Sequence, residues 1–285
     1  MQRLADVDGA LVTGSEKIDQ NTLSQASRLK VVSNIAVGFN NFDISALTQK
    51  KVMATNTPEV LTDTTADMGF LLMMAAARRL SESERWLRDG QWKDWSLGGM
   101  MGMDVHHATI GIMGMGRIGQ AIAKRALAFG MTVIYYNRRQ LSPQIEQQYQ
   151  AKYVSKEELL KTADHVVLVM PYSPESHHLI GAKELALMKP TATIVNIARG
   201  GIIHEEALIH ALKNQSIFSA GLDVYDGEPN INPQLLELSN VVLTPHIGSA
   251  SKKTRTAMMN LAIDNLIAGI RNERPPNLIN TELWQ

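Results

Sequence analysis

The sequence predicts an α/β fold: a doubly wound parallel sheet of the nucleotide-binding type inserted into a discontinuous first domain. Three observations carry this. Short apolar strands alternate with helical patterns along most of the chain, which is the mark of βαβ units and parallel sheet. The run Gly114-Met115-Gly116-Arg117-Ile118-Gly119 directly follows an apolar strand and opens a helix. At 285 residues the chain exceeds the usual size of one core, so one large or two medium domains are expected.

Taken in order, residues 8–14 read as a strand and turn, 21–29 as a helix, 30–38 as a strand, 43–51 as a helix and 52–56 as a strand. Thr62 or Asp63 caps a long helix running through Leu71, Met74 and Arg78 towards Gly90, apolar nearly all round at its centre. Residues 91–107 are rich in Trp, Met and Gly and have no clean period. They are either an arm lying across a partner subunit or a loop packed on its own chain. From Ala108 the pattern is regular. Strands are expected at 108–114, 132–137, 165–171, 191–198, 217–224 and 240–248, with helices between them, and a final helix over 254–272 folds back on the first domain.

Composition narrows the classes of function. Lys plus Arg equals Asp plus Glu, 28 each, so the formal net charge is zero and nothing suggests a polyanion-binding surface. Hydrophobic content of 45% with 20% charged residues is ordinary for a globular protein. No cysteine is present, which removes disulfides, thiolate nucleophiles and thiolate metal sites. Neither a membrane-spanning run nor a signal-peptide pattern is seen, so the sequence reads as a cytoplasmic protein.

The glycine run carries the cofactor reading. Gly114 permits the tight turn, Gly116 lets backbone approach a pyrophosphate, and Gly119 lets the helix sit close to the strand. The helix N–H groups then face phosphate charge. Glycines serving only a tight turn are the plainer alternative. At the end of the next strand, where NAD-preferring sites place Asp or Glu, the chain has Tyr136-Asn137-Arg138-Arg139. Neutral Asn137 does not repel a 2′-phosphate, and Arg138 and Arg139 offer forked donors to its oxygens. NADP(H) is therefore preferred over NAD(H), with two solvated arginines at a helix start as the alternative.

Three further residues stand at strand ends: Arg199 before Gly200-Gly201, Glu228 beyond the next strand, and His246 beyond the last. Reducing a 2-keto acid needs a hydride, a proton for the oxygen and a cation for the carboxylate. Histidine has the pKa to donate that proton, a bonded carboxylate favours imidazolium, and arginine grips a carboxylate. Each residue is a weak signal alone; beside a dinucleotide site they reinforce one another. Of the other histidines, His106, His107, His177 and His178 read as surface or loop residues.

With GIMGMGRIG (111–119), VNIARGG (195–201), GLDVYDGEP (221–229) and TPHIGSAS (244–251), the chain from about Asp6 onwards resembles the D-isomer-specific 2-hydroxyacid dehydrogenases. Residues 37–52 and 56–73 and the Asn-Arg-Arg strand end resemble the glyoxylate/hydroxypyruvate reductase branch, which includes 2-ketogluconate reductases. The resemblance implies a Rossmann-type domain over 64–250 inserted in a flavodoxin-like substrate domain made of 1–63 and 251–285. It implies NADPH-dependent reduction of glyoxylate, hydroxypyruvate or 2-ketogluconate to the D-2-hydroxy acid, by a homodimer. His246 would be the proton donor with Glu228 as its acidic partner, and Arg199 would bind the substrate carboxylate and carbonyl. Backbone groups of Val37 and Gly38 would hold the carboxylate, with Ser249 near the substrate. Arg117 and Ile118 would contact the pyrophosphate, Pro171 and Ile197 would lie along the cofactor, and Asp223 would lie by the nicotinamide carboxamide. By sequence alone Asp223 is equally a helix-capping or turn residue.

Two departures stand out. Family members begin with a further strand, helix and strand, so an N-terminally truncated first domain is expected. His204 stands where the family commonly has Asp, and is expected to cap a helix. A dinucleotide-sensing binding protein and an inactive truncated form are the readings that compete with an enzyme.

Overall fold

The structure, a computed structural model, describes residues 4–284. It forms two compact units, divided between Thr64 and Thr65 and again between Gly248 and Ser249. The sequence expectation puts these divisions after residues 63 and 250.

The first unit opens with β1 (Gly9–Val12), α1 (Gln20–Ser24), β2 (Val31–Asn34), α2 (Ile44–Gln49) and β3 (Met53–Thr55). The three strands form one parallel sheet in the order β1-β2-β3. Both helices start where an aspartate accepts a backbone N–H three residues on, Asp19 from Thr22 at 3.0 Å and Asp43 from Ala46 at 2.9 Å. Ile18, Leu23, Val32, Leu47 and Val52 make the centre of its core.

The expected long helix over 62–90 is two helices, α3 (Thr62–Ala77) and α4 (Leu80–Arg88). Arg79 between them is left-handed at φ 53°. The cause is tertiary: the Met103 N–H donates to the Ala77 carbonyl at 2.8 Å, taking the acceptor a continuous helix needs. Gly102 makes that approach possible, since a Cβ there would lie 2.4 Å from the same oxygen. α3 is heavily buried, whereas α4 buries none of its residues. Residues 91–108 form neither helix nor strand. Trp92, Trp95, Leu97 and Met101 are exposed, while Met103 and Val105 pack into a core.

The regular region follows as β4 (Thr109–Met113), α5 (Arg117–Ala128), β5 (Thr132–Tyr136), α6 (Pro143–Gln148), β6 (Ala151–Tyr153), α7 (Lys156–Thr162), β7 (His165–Leu168), α8 (Ala182–Leu185), β8 (Thr193–Asn196), α9 (Glu205–Lys213), β9 (Ser219–Leu222), α10 (Pro233–Leu236) and β10 (Val241–Leu243). The edge strand β6 has no counterpart in the sequence expectation, where the stretch from Lys152 to the strand at 165 is helix; three residues are too few to show a period. All seven strands run parallel in the order β10-β9-β8-β7-β4-β5-β6. The winding reverses between β4 and β7, and ligands of such sheets bind in the crevice at the strand ends there. His204 accepts the Ala207 N–H at 3.3 Å and caps α9, as expected.

The last helix, α11 (Lys252–Ile270), is capped by Ser251 and returns to the first unit, packing on β1 and β2. Gly269 brings it close: a Cβ there would lie 2.6 Å from Val31 Cβ. No described helix is long and apolar enough to cross a membrane.

Candidate active site

The glycine loop leaves the end of β4, beside the point where the winding reverses. Gly114 has φ 104°, and a Cβ there would stand 2.7 Å from the Met170 backbone nitrogen. Only glycine satisfies both conditions. Gly119 lies in the first turn of α5, where a Cβ would meet the Gly114 carbonyl oxygen at 2.3 Å. Gly116 differs from both. It is the N-cap of α5, has no side-chain cap, and a Cβ on it would meet nothing within 4 Å. The protein itself does not require glycine at 116, so the space in front of the helix N-terminus is open. With the first-turn N–H groups of Arg117, Ile118 and Gly119 beside it, this cradle fits a pyrophosphate.

Asn137, at the end of β5, turns its amide oxygen to the loop and accepts the Met115 N–H at 2.7 Å. It therefore pins the glycine loop to β5, a role sequence reasoning missed; the Tyr153 hydroxyl donates to its carbonyl at 3.1 Å. Arg138 and Arg139 follow it, both exposed. Pro171 lies on the exposed stretch beyond β7. Ile197 follows β8 with its side chain in the core, where a Cβ on Gly69 would lie 2.6 Å from its Cδ1.

Arg199, Glu228 and His246 arise beyond the carboxyl ends of β8, β9 and β10, which are neighbours in the sheet. His246 Nδ1 lies 2.6 Å from Glu228 Oε2, and the other carboxylate oxygen accepts the Tyr225 N–H at 2.8 Å. Burial pushes the Glu228 carboxyl up, but the bonds from His246 and Tyr225 and the charges of His246 and Arg199 outweigh it and hold the pKa low. Burial lowers the Arg199 guanidinium, and the Glu228 charge opposes it. Arg199 stays a cation at any relevant pH. Its Nη1 donates to the Ala198 carbonyl at 2.7 Å, and Asn196 holds its own carbonyl at 2.9 Å.

His246 is left-handed, with φ 52°. Asp223, 1% exposed, holds the turn around it. Its Oδ1 accepts from the Thr244 hydroxyl at 2.7 Å and the Ile247 N–H at 2.8 Å, and its Oδ2 accepts the Gly248 N–H at 2.7 Å. These bonds show that Asp223 shapes the turn that carries His246. Gly200 serves the same assembly: a Cβ there would lie 1.8 Å from the Tyr225 carbonyl oxygen, so only glycine lets the Arg199 loop close on the Glu228 loop.

Val37, Gly38 and Ser249 belong to the first unit. Asn56 Nδ2 donates to the Val37 carbonyl and Asn34 Nδ2 to the Gly38 carbonyl, each at 2.8 Å. Both carbonyls are thus engaged, while no bond among the described residues takes the Val37 or Gly38 N–H. That leaves backbone donors of the kind that suit a carboxylate. Asn34 and Asn56 carry no motif that would reveal this role in the sequence. Ser249 accepts the Ser251 N–H through its carbonyl at 2.9 Å.

Comparison with known proteins points to one family. The family model for the D-isomer specific 2-hydroxyacid dehydrogenase NAD-binding domain matches residues 70–248. A glyoxylate reductase of Thermococcus gammatolerans is 47% identical over 99% of this chain and 86% of its own length. Glyoxylate/hydroxypyruvate reductase B of Escherichia fergusonii is 42% identical over 99% of this chain and 87% of its own. Among solved structures, an NADPH-dependent glyoxylate/hydroxypyruvate reductase of Sinorhizobium meliloti, in complex with NADP and malonate, superposes with a TM-score of 0.88. It is 32% identical over 98% of this chain and 86% of that one. The chain belongs to the D-isomer-specific 2-hydroxyacid dehydrogenases, in their glyoxylate reductase branch, and is an NAD(P)-dependent oxidoreductase acting on CH–OH groups.

Proposed function

We propose that the protein reduces a small 2-keto acid (glyoxylate, hydroxypyruvate or 2-ketogluconate) to the D-2-hydroxy acid, with NADPH as the preferred reductant. The observation that carries the reading is the 2.6 Å bond between His246 and Glu228 within the electrostatic reach of Arg199. The reduced dinucleotide, when bound, supplies the hydride. Nδ1 of His246 is taken by Glu228, so Nε2 is the nitrogen that delivers a proton to the carbonyl oxygen. Glu228 sets the ring orientation and stabilises imidazolium until transfer. Arg199 offers a permanent cation to the substrate carboxylate and to the oxygen that gains negative charge.

Preference for NADPH is supported by Arg138 and Arg139 at the end of β5, where neutral Asn137 takes the place of a carboxylate. Homodimer formation is supported by the exposed Trp92, Trp95, Leu97 and Met101, since exposed aromatic and methionine side chains concentrate at subunit contacts. The test is direct. Purified protein mixed with NADPH and each keto acid should consume the absorbance of the reduced nicotinamide with at least one of them. A folded protein that binds NADPH and turns over none of the three overturns the reading.

A further inference from the structure

One residue bonds Glu228 and reaches the backbone beside His246 and Arg199 without being one of the three. Tyr225, three residues before Glu228, is 5% exposed. Its backbone N–H donates to Glu228 Oε1 at 2.8 Å. Its phenolic hydroxyl donates to the Thr244 carbonyl at 2.9 Å and is shared with the Leu222 carbonyl at 3.1 Å. The Thr244 carbonyl also accepts the His246 N–H at 3.0 Å. Its own carbonyl is the atom against which Gly200, next to Arg199, is pressed.

We propose that Tyr225 is a positioning residue for proton transfer, its hydroxyl bolting the end of β9 to the end of β10 so that Glu228 and His246 are held in register. The two catalytic groups come from different strand ends, and His246 sits in a left-handed conformation that its surroundings must maintain. The Asp223 carboxylate secures the residues after His246. The Tyr225 hydroxyl secures the carbonyl before it. Asp223, Glu228 and Glu205 surround the phenol, and burial pushes its pKa up to about 12, so it remains an O–H donor throughout the working range.

The structure also supplies a clean perturbation. Without the hydroxyl, the Leu222 carbonyl keeps the Thr244 N–H at 2.9 Å and the Thr244 carbonyl keeps the His246 N–H, so no buried acceptor is orphaned. Tyr225→Phe should therefore fold, and lose only the bolt.

The inference rests on the reading of Glu228 and His246 as the proton-transfer pair. In Tyr225→Phe, kcat for keto-acid reduction should fall about 2- to 12-fold, the equivalent of one neutral hydrogen bond, with KM for both substrates unchanged. The acidic limb of the kcat pH profile should move to higher pH, because the Glu228 carboxyl loses part of the hold that keeps its pKa low. In the same variant the Glu228 carboxyl, followed by carbon NMR, should titrate closer to the ordinary glutamate range. That last readout needs no turnover, so it separates failure of this inference from failure of the functional reading. A variant with the wild-type kcat, pH profile and Glu228 titration overturns the proposal. So does one whose loss lies wholly in KM. If the phenylalanine variant does not melt cooperatively, 3-fluorotyrosine and 3,5-difluorotyrosine at 225 grade the donor strength instead. A monotonic shift of the acidic limb supports the role, and a flat response overturns it.

Discussion

At Gly116 the backbone has φ −79° and ψ −162°, open to any residue, and an alanine Cβ would meet no atom within 4 Å. Alanine is a poorer N-cap than glycine, but it also restricts the unfolded chain by about 0.4–1 kcal/mol. The two effects oppose, so Gly116→Ala should change stability by less than about 1 kcal/mol, or roughly 2–4 °C in Tm. A pyrophosphate seated on the N-terminus of α5 would meet the new methyl group. Losing one charge-assisted hydrogen bond of about 1.5–3 kcal/mol raises the dinucleotide Kd roughly 10- to 150-fold. Gly119→Ala supplies the contrast, because its Cβ would stand 2.3 Å from the Gly114 carbonyl oxygen and must displace the loop. Binding and Tm should fall together there. Titration of NADPH fluorescence alongside thermal melting reads both quantities. If Gly116→Ala binds NADPH and NADH as tightly as wild type, or melts as early as Gly119→Ala, the assignment of this loop to the pyrophosphate is wrong.

His246→Ala should lower kcat by about 10²- to 10⁴-fold, the usual share of a positioned acid, while NADPH Kd stays at its wild-type value. A matching loss of cofactor binding would contradict its role. Arg138→Ala combined with Arg139→Ala should weaken NADPH at least about 10-fold and leave NADH nearly untouched, since only the former carries a 2′-phosphate for the guanidinium groups; equal losses for both would remove the arginines from the cofactor site. Stability should fall on mild acidification. His165 is buried, with Nδ1 2.8 Å from the Thr193 hydroxyl and Nε2 3.0 Å from the Asp104 carbonyl, and burial holds its pKa below the ordinary 6.5 despite that carbonyl and Asp164. A folded pKa below the unfolded one means full stabilisation above 6.5, lost as pH falls towards the folded value. The Tm decline from about pH 7 to 5 should therefore be smaller in His165→Gln than in wild type. An identical decline would place the acid sensitivity elsewhere.

Much of the architecture is legible in the sequence because it is local. The cap His204 and the turn at Gly114 each depend on residues a few positions apart. The glycine run, and the placement of Arg199, Glu228 and His246 at strand ends, follow from reading where apolar runs stop. The break at Arg79 was not legible, because the group that ends α3 is an N–H from Met103, far along the chain. β6 was hidden by its shortness. Asn137 could be read as the absence of a carboxylate, but its grip on the Met115 N–H required β4 and β5 to be set side by side.

The sequence by itself determined the class of fold, the dinucleotide loop and the residue types the chemistry needs. Those properties reside in periodicity and in short motifs. Only the tertiary structure decided the order of the strands, which sets β8, β9 and β10 next to one another, and thereby the 2.6 Å meeting of His246 with Glu228. The work of Asp223, Gly200 and Tyr225 belongs to the same level. Their partners lie on neighbouring strand ends, and only long-range packing brings those ends within hydrogen-bonding distance.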